Sequence, residues 1–97
     1  MIENVKLYQP DRHEDFRGDI YTIWNKDSYP QLNWRLDKFS HSHKNVLRGL
    51  HGDYETWKLV SCAYGKFYYL IADNRKKSKT YKKWNWFILS SENRKQV

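Results

Sequence analysis

Residues 56–73 read TWKLVSCAYGKFYYLIAD, and this stretch decides the fold class. Two runs rich in branched and aromatic side chains, 56–64 and 67–73, flank Gly65-Lys66. Such residues pack well on a pleated, half-buried surface, and a glycine between two such runs supplies a tight reversal. The stretch predicts a β-hairpin turning at Gly65-Lys66. Working outward, residues 83–89 alternate Trp84, Trp86 and Ile88 with Asn85, Phe87 and Leu89, which predicts a strand apolar on both faces and covered on both. A polar turn, Ser90-Ser91-Glu92-Asn93, follows, and a further strand begins at 94–97. Upstream, 46–50 reads as a short strand. Residues 31–40 place Leu32, Trp34 and Leu36 on one face of another, and 19–25 forms the first. Short strands at intervals of 8 to 12 residues with turn signals between them define an all-β protein of antiparallel sheets with little helix: a sandwich, barrel or jelly roll.

The whole chain, 97 residues with no internal repeat, is expected to form one domain. A chain this size buries only about 60 to 65% of its unfolded surface, so a partner chain that covers more would add stability. An unpaired sheet edge invites that partner. No apolar run approaches the ~20 residues of a membrane-spanning helix, and the first residues, Met1-Ile2-Glu3-Asn4, lack a secretory pattern. A soluble, cytoplasmic protein is expected, and the single cysteine, Cys62, suits a reducing compartment and excludes a four-cysteine zinc site.

Eighteen Lys and Arg against 11 Asp and Glu give a net charge of +7, which points to an anionic partner: nucleic acid, an anionic membrane or a phosphorylated metabolite. Six of the cations, Arg75, Lys76, Lys77, Lys79, Lys82 and Lys83, fall within nine residues. A solvated loop is the simpler reading of that run. Exposed aromatics beside it would suit single-stranded nucleic acid, but the same aromatics alternate as a core would, and nucleic acid is the least favoured partner.

Among residues that could do chemistry, Arg48-Gly49-Leu50-His51 ends a short apolar run. A bulge at Gly49 would bring Arg48 and His51 to one side of the strand, while a hydrogen-bonded structural histidine is the plainer alternative. Lys58, flanked by Trp57 and Leu59, either extends its ammonium to water or points it into an enclosed site. His51, Asp53 and Glu55 form a poor metal-ligand set, and His41 and His43, two apart, face one side without a third ligand. Cys62 has no adjacent base and reads as an inert buried thiol. No glycine-rich phosphate loop and no Ser-His-Asp arrangement is present.

Several of these residues recur in an ordered pattern: Asp15-Phe16-Arg17-Gly18, Ser40-x-Ser42, Lys44-Asn45-Val46-Leu47-Arg48-Gly49-Leu50-His51, Trp57-Lys58-Leu59-Val60, Gly65, Asp73-Asn74-Arg75, Ser78-x-Thr80, Trp84, and residues 89–96 (LSSENRKQ). The pattern resembles the nucleotide-sugar 3,5-epimerases typified by dTDP-4-dehydrorhamnose 3,5-epimerase, and it runs from about residue 12 to residue 97. The resemblance implies a cupin-type jelly roll, of which this chain is the N-terminal half. It also implies a homodimer formed by strand exchange or through an open sheet edge. The implied substrate is a nucleotide-diphosphate sugar with a ketone at C4, whose C3 and C5 hydrogens are acidified because the carbanion delocalises onto oxygen. His51 matches the family's proton-abstracting base, and Lys58 matches the lysine beside the enolate oxygen. Arg17 and Arg48 match arginines around the diphosphate. No cofactor and no metal is implied.

The family's tyrosine acid, and the aspartate that pairs with its histidine, fall beyond Val97 in the pattern. Thymidine-selective members carry an aromatic residue and a glutamate after the Arg-Gly pair, where this chain has Ile20 and Thr22. The spacing from His51-Gly52-Asp53 to Lys58 is closer to relatives acting on GDP-linked heptoses. The alternative to catalysis is a non-catalytic jelly-roll module that binds a sugar nucleotide or a partner chain.

Overall fold

A computed structural model describes residues 1–97. It contains four strands and no helix: β1 (Arg12–Asp15), β2 (Gly18–Tyr21), β3 (Lys66–Ala72) and β4 (Trp84–Ser90). The strands form two antiparallel pairs, β1 with β2 and β3 with β4, so the expected all-β, antiparallel class holds. The chain divides into two compact units, Met1–Trp24 with Lys58–Val97, and Asn25–Trp57.

The first unit contains every strand. Gly65 takes a positive φ of 86° and turns the chain as expected, but the hairpin predicted across it does not form. β3 pairs instead with β4, from Lys66 opposite Ser90 to Ala72 opposite Trp84. Residues 56–64 supply only isolated pairing: Val60 exchanges backbone hydrogen bonds with Val97 at 2.8 and 3.0 Å, and Ser61 bridges Gln96. The reason lies on the far side of β3. Asp73 organises residues 73–83 into a closed turn, so β4 returns along β3 and satisfies its ladder.

Side chains directly opposite in an antiparallel pair share a face. Phe67, Tyr69, Ile71, Asn85, Phe87 and Leu89 form the covered face, with Leu89 fully buried among a core that includes Ile2 and Cys62. Phe67 and Tyr69 meet edge to face with centroids 6.2 Å apart, and burial raises the Tyr69 hydroxyl above its ordinary pKa. The expectation that residues 83–89 are covered on both faces fails, because Tyr68, Leu70, Trp84, Trp86 and Ile88 are exposed on the other face.

The ends of the chain are tied to this hairpin. Ile2 is buried and donates its N–H to Asn85 Oδ1 at 2.8 Å. After β4, Ser90 and Asn93 cap one another, with Ser90 N–H bonded to Asn93 Oδ1 and Asn93 N–H to Ser90 Oγ. The chain then runs between two remote segments, with Gln96 bridging Tyr8 as well as Ser61. Its buried amide donates to Ile23 O at 2.9 Å.

The β1–β2 hairpin is exposed and short, with a two-residue tip at Phe16-Arg17. Gly18, at φ 130°, takes the reversal that an L-residue would resist. Of the strand predicted over 19–25, only residues 19–21 are extended and paired, as part of β2. Its partner, RHED at 12–15, has no apolar pattern to announce a strand.

In the second unit, Asn25–Trp57, neither predicted strand (31–40 or 46–50) forms. The alternation at Leu32, Trp34 and Leu36 exists, but no strand lies alongside to accept its backbone groups, and Leu36, Phe39, Leu47 and Leu50 are exposed. A strand is a paired state, and periodicity without a partner does not produce one.

Candidate functional site

Arg17 and Lys58 belong to the first unit, Arg48 and His51 to the second. All four are exposed. Arg17 sits at the tip of the β1–β2 hairpin and is held by Asp15, two residues earlier. Its backbone N–H donates to Asp15 Oδ1 at 2.8 Å, its Nη2 to Oδ2 at 2.6 Å, and its Nε reaches both oxygens at 3.2 to 3.3 Å. The guanidinium beside Asp15 keeps that carboxyl below its ordinary pKa, and the carboxylate in turn raises the pKa of Arg17.

Within the second unit, Arg48 turns back toward residues 41–42, donating from Nε to Ser42 Oγ at 2.8 Å and from Nη2 to His41 O at 3.2 Å. Gly49 has a φ of 104°, and the Gly49–Leu50 peptide is cis. A Cβ at residue 49 would sit 3.6 Å from His51 Nδ1 and 3.5 Å from His51 N. Those are ordinary contact distances, so it is the positive φ that favours glycine there. Residues 53–56 form a turn on Asp53, whose Oδ1 accepts the N–H groups of Glu55 and Thr56 and whose Oδ2 accepts the Thr56 hydroxyl. The His41 and His43 rings face the same side, with centroids 5.6 Å apart. No group of three His, Cys, Asp or Glu side chains converges in a way that could hold a metal ion.

A second polar cluster, whose residues lie in the family pattern without an assigned role, is built in the β3–β4 turn. Asp73 accepts the Arg75 N–H at 3.0 Å and Arg75 Nε at 2.9 Å on Oδ1. On Oδ2 it accepts Arg75 Nη2 at 2.9 Å, Ser78 Oγ at 2.7 Å and Thr80 Oγ1 at 2.6 Å. Arg75, then Thr80, hold its carboxyl far below the ordinary carboxylate value. The signal was present: the spacing Asp-x-Arg occurs at both 15–17 and 73–75. The basic run from Arg75 to Lys83 is therefore an ordered turn with its lysines in solvent.

The strands and their pairing define an all-β antiparallel class, and comparison with known proteins narrows it. The family model described as dTDP-4-dehydrorhamnose 3,5-epimerase matches residues 1–97. The chain belongs to the dTDP-4-dehydrorhamnose 3,5-epimerase family. It is 35% identical to the Escherichia coli K12 enzyme of that name over 99% of this chain and 56% of the relative. It is 36% identical to the Salmonella typhimurium enzyme over 99% and 57%. Among solved structures, the Elizabethkingia anophelis enzyme superimposes with a TM-score of 0.82 at 31% identity, covering 98% of this chain and 56% of that one. The Bacillus anthracis enzyme, solved with TDP and PPi bound, gives 0.65 at 26% identity, over 99% of this chain and 62% of that one. The chain spans little more than half the length of these four relatives.

Proposed function

We propose that this chain is the N-terminal part of a nucleotide-sugar 3,5-epimerase, one partial jelly-roll domain that acts on a 4-keto nucleotide-diphosphate sugar. The observation that carries the reading is the match of the family model to every residue, including the segment from Arg48 to Lys58. In this reading His51 removes the proton from C5 or C3, and the C–H electron pair moves into the C4 carbonyl to give an enolate. The Lys58 ammonium stabilises the developing oxyanion, an electrostatic effect that is strongest where water is excluded. Arg48 and Arg17 hold the diphosphate, whose oxygens suit a planar fork of donors. Reprotonation from the opposite face completes inversion, and in the family that proton comes from a tyrosine beyond the matched residues. A positioned acid of this kind typically contributes about 10² to 10⁴ in rate. A homodimer by strand exchange or edge pairing fits the two-stranded sheet, since β3 and β4 each have one ladder partner. The proposed setting is the cytoplasm, where Cys62 stays reduced.

The test is incubation with a 4-keto nucleotide-diphosphate sugar in D₂O, read by mass spectrometry. Deuterium is expected at C3 or C5 with the wild-type chain and is lost with His51→Ala. Ligand binding without incorporation in the wild type would overturn the catalytic reading and leave a non-catalytic module.

A further inference from the structure

The two Asp-x-Arg turns share one local geometry. In each, a carboxylate accepts the backbone N–H of the arginine two residues on and the Nε–Nη2 edge of the same guanidinium. The fork is thereby fixed side-on, and its outer end is left to reach another acceptor. At Arg75 that second acceptor is present, because Nη2 also donates to the Glu3 carbonyl at 2.7 Å and lies 3.5 Å from Ser78 Oγ. At Arg17 every hydrogen bond goes to Asp15, and the side chain is 77% exposed. The Arg75 turn thus shows what the motif does when complete: it delivers a pre-aimed N–H of Nη2 to a carbonyl oxygen.

Building on the reading of Arg17 as a diphosphate ligand, we infer that Asp15 is a positioning residue that fixes the Arg17 guanidinium so that its outer N–H groups donate to phosphate oxygens. An exposed ion pair adds little to stability, so the pair matters for geometry. An arginine held in one rotamer before binding avoids an ordering cost of about 0.5–1.5 kcal/mol when its ligand arrives. Asp15 also places a negative charge near the incoming diphosphate, which by Coulomb's law alone weakens binding. The two effects have opposite signs, which makes the proposal decidable.

The experiment titrates the full chain with thymidine diphosphate and with inorganic pyrophosphate, comparing wild type, Asp15→Asn, Asp15→Glu and Arg17→Lys. Asp15→Asn is expected to weaken binding by about two- to twelvefold, the fold-change equivalent of that ordering cost. Asp15→Glu should recover part of the loss, and Arg17→Lys, which has no fork, should lose more than Asp15→Asn does. The Arg17 Nε–Hε signal in ¹⁵N NMR should be ordered in wild type and mobile in Asp15→Asn, while the contacts between Glu14 and Asp19 across the hairpin stay unchanged. Equal or tighter binding by Asp15→Asn overturns the positioning role and leaves the substrate reading intact, as does an Arg17 signal equally mobile in both. No binding of either anion by the wild type overturns both.

Discussion

The two hairpins of the first unit use the same three-residue clamp under opposite conditions. In the β3–β4 turn, Asp73 is buried and its oxygens serve Arg75, Ser78, Thr80 and the backbone at once. Through Glu3, that turn also fastens the start of the chain, with the Glu3 N–H bonded to Thr80 Oγ1 at 3.1 Å and the Glu3 carbonyl to Arg75. In the β1–β2 turn, Asp15 and Arg17 are largely exposed and bond only to one another. The difference is what surrounds the motif. Burial with further donors makes an Asp-x-Arg unit part of the architecture, whereas exposure leaves it a free donor on a fixed mount.

The contrast can be broken at its buried end first. Asp73→Asn removes the acceptor around which the turn and the N-terminal segment are assembled and leaves several donors short of a partner. The expected loss in Tm is on the order of 10 °C, measured by thermal unfolding. It should be accompanied by faster amide exchange at Ile2 and Glu3, and unchanged exchange there would separate the N-terminal segment from the turn.

Acid should act on the same point. The folded pKa of Asp73 is depressed from an ordinary 3.8, so the unfolded chain binds the proton more readily. Its contribution is complete above about pH 5 and is lost as pH falls through the ordinary value toward the lower folded one. Tm should therefore fall more steeply below about pH 4 in the wild type than in Asp73→Asn, and parallel curves would remove Asp73 as the acid-sensitive group. At the exposed end, Asp15→Asn should leave Tm within about 2 °C, and a larger drop would mean that the small hairpin leans on its ion pair.

Much of this was legible before the structure. Residues 66–72 and 84–90 carry the aromatic and branched content of strands, and both are strands. Their partnership was not, because Gly65 is a strong local turn signal and the true connection depends on the bonds of Asp73 to Arg75, Ser78 and Thr80, and of those residues to the distant Glu3. β1 was missed because four polar residues have no periodicity to read. Residues 31–40 and 46–50 mislead for the opposite reason, having the pattern without a pairing strand. Arg17, Arg48, His51 and Lys58 were singled out with roles by the family pattern, since an exposed side chain on an irregular segment leaves no trace in hydrophobic periodicity. Asp15 lay in that same pattern, and only its repetition at Asp73 gives it a physical meaning.

The uncovered side of β3–β4 has a practical corollary for work in solution. Trp84 and Trp86 stand more than half in water, with Tyr68 beside Trp86 at a centroid distance of 5.9 Å. Indole emission is red-shifted in water and moves to the blue when a ring is enclosed, so these two tryptophans form a built-in optical gauge. Whatever molecule comes to lie on that sheet will announce itself as a change of colour, with no label attached.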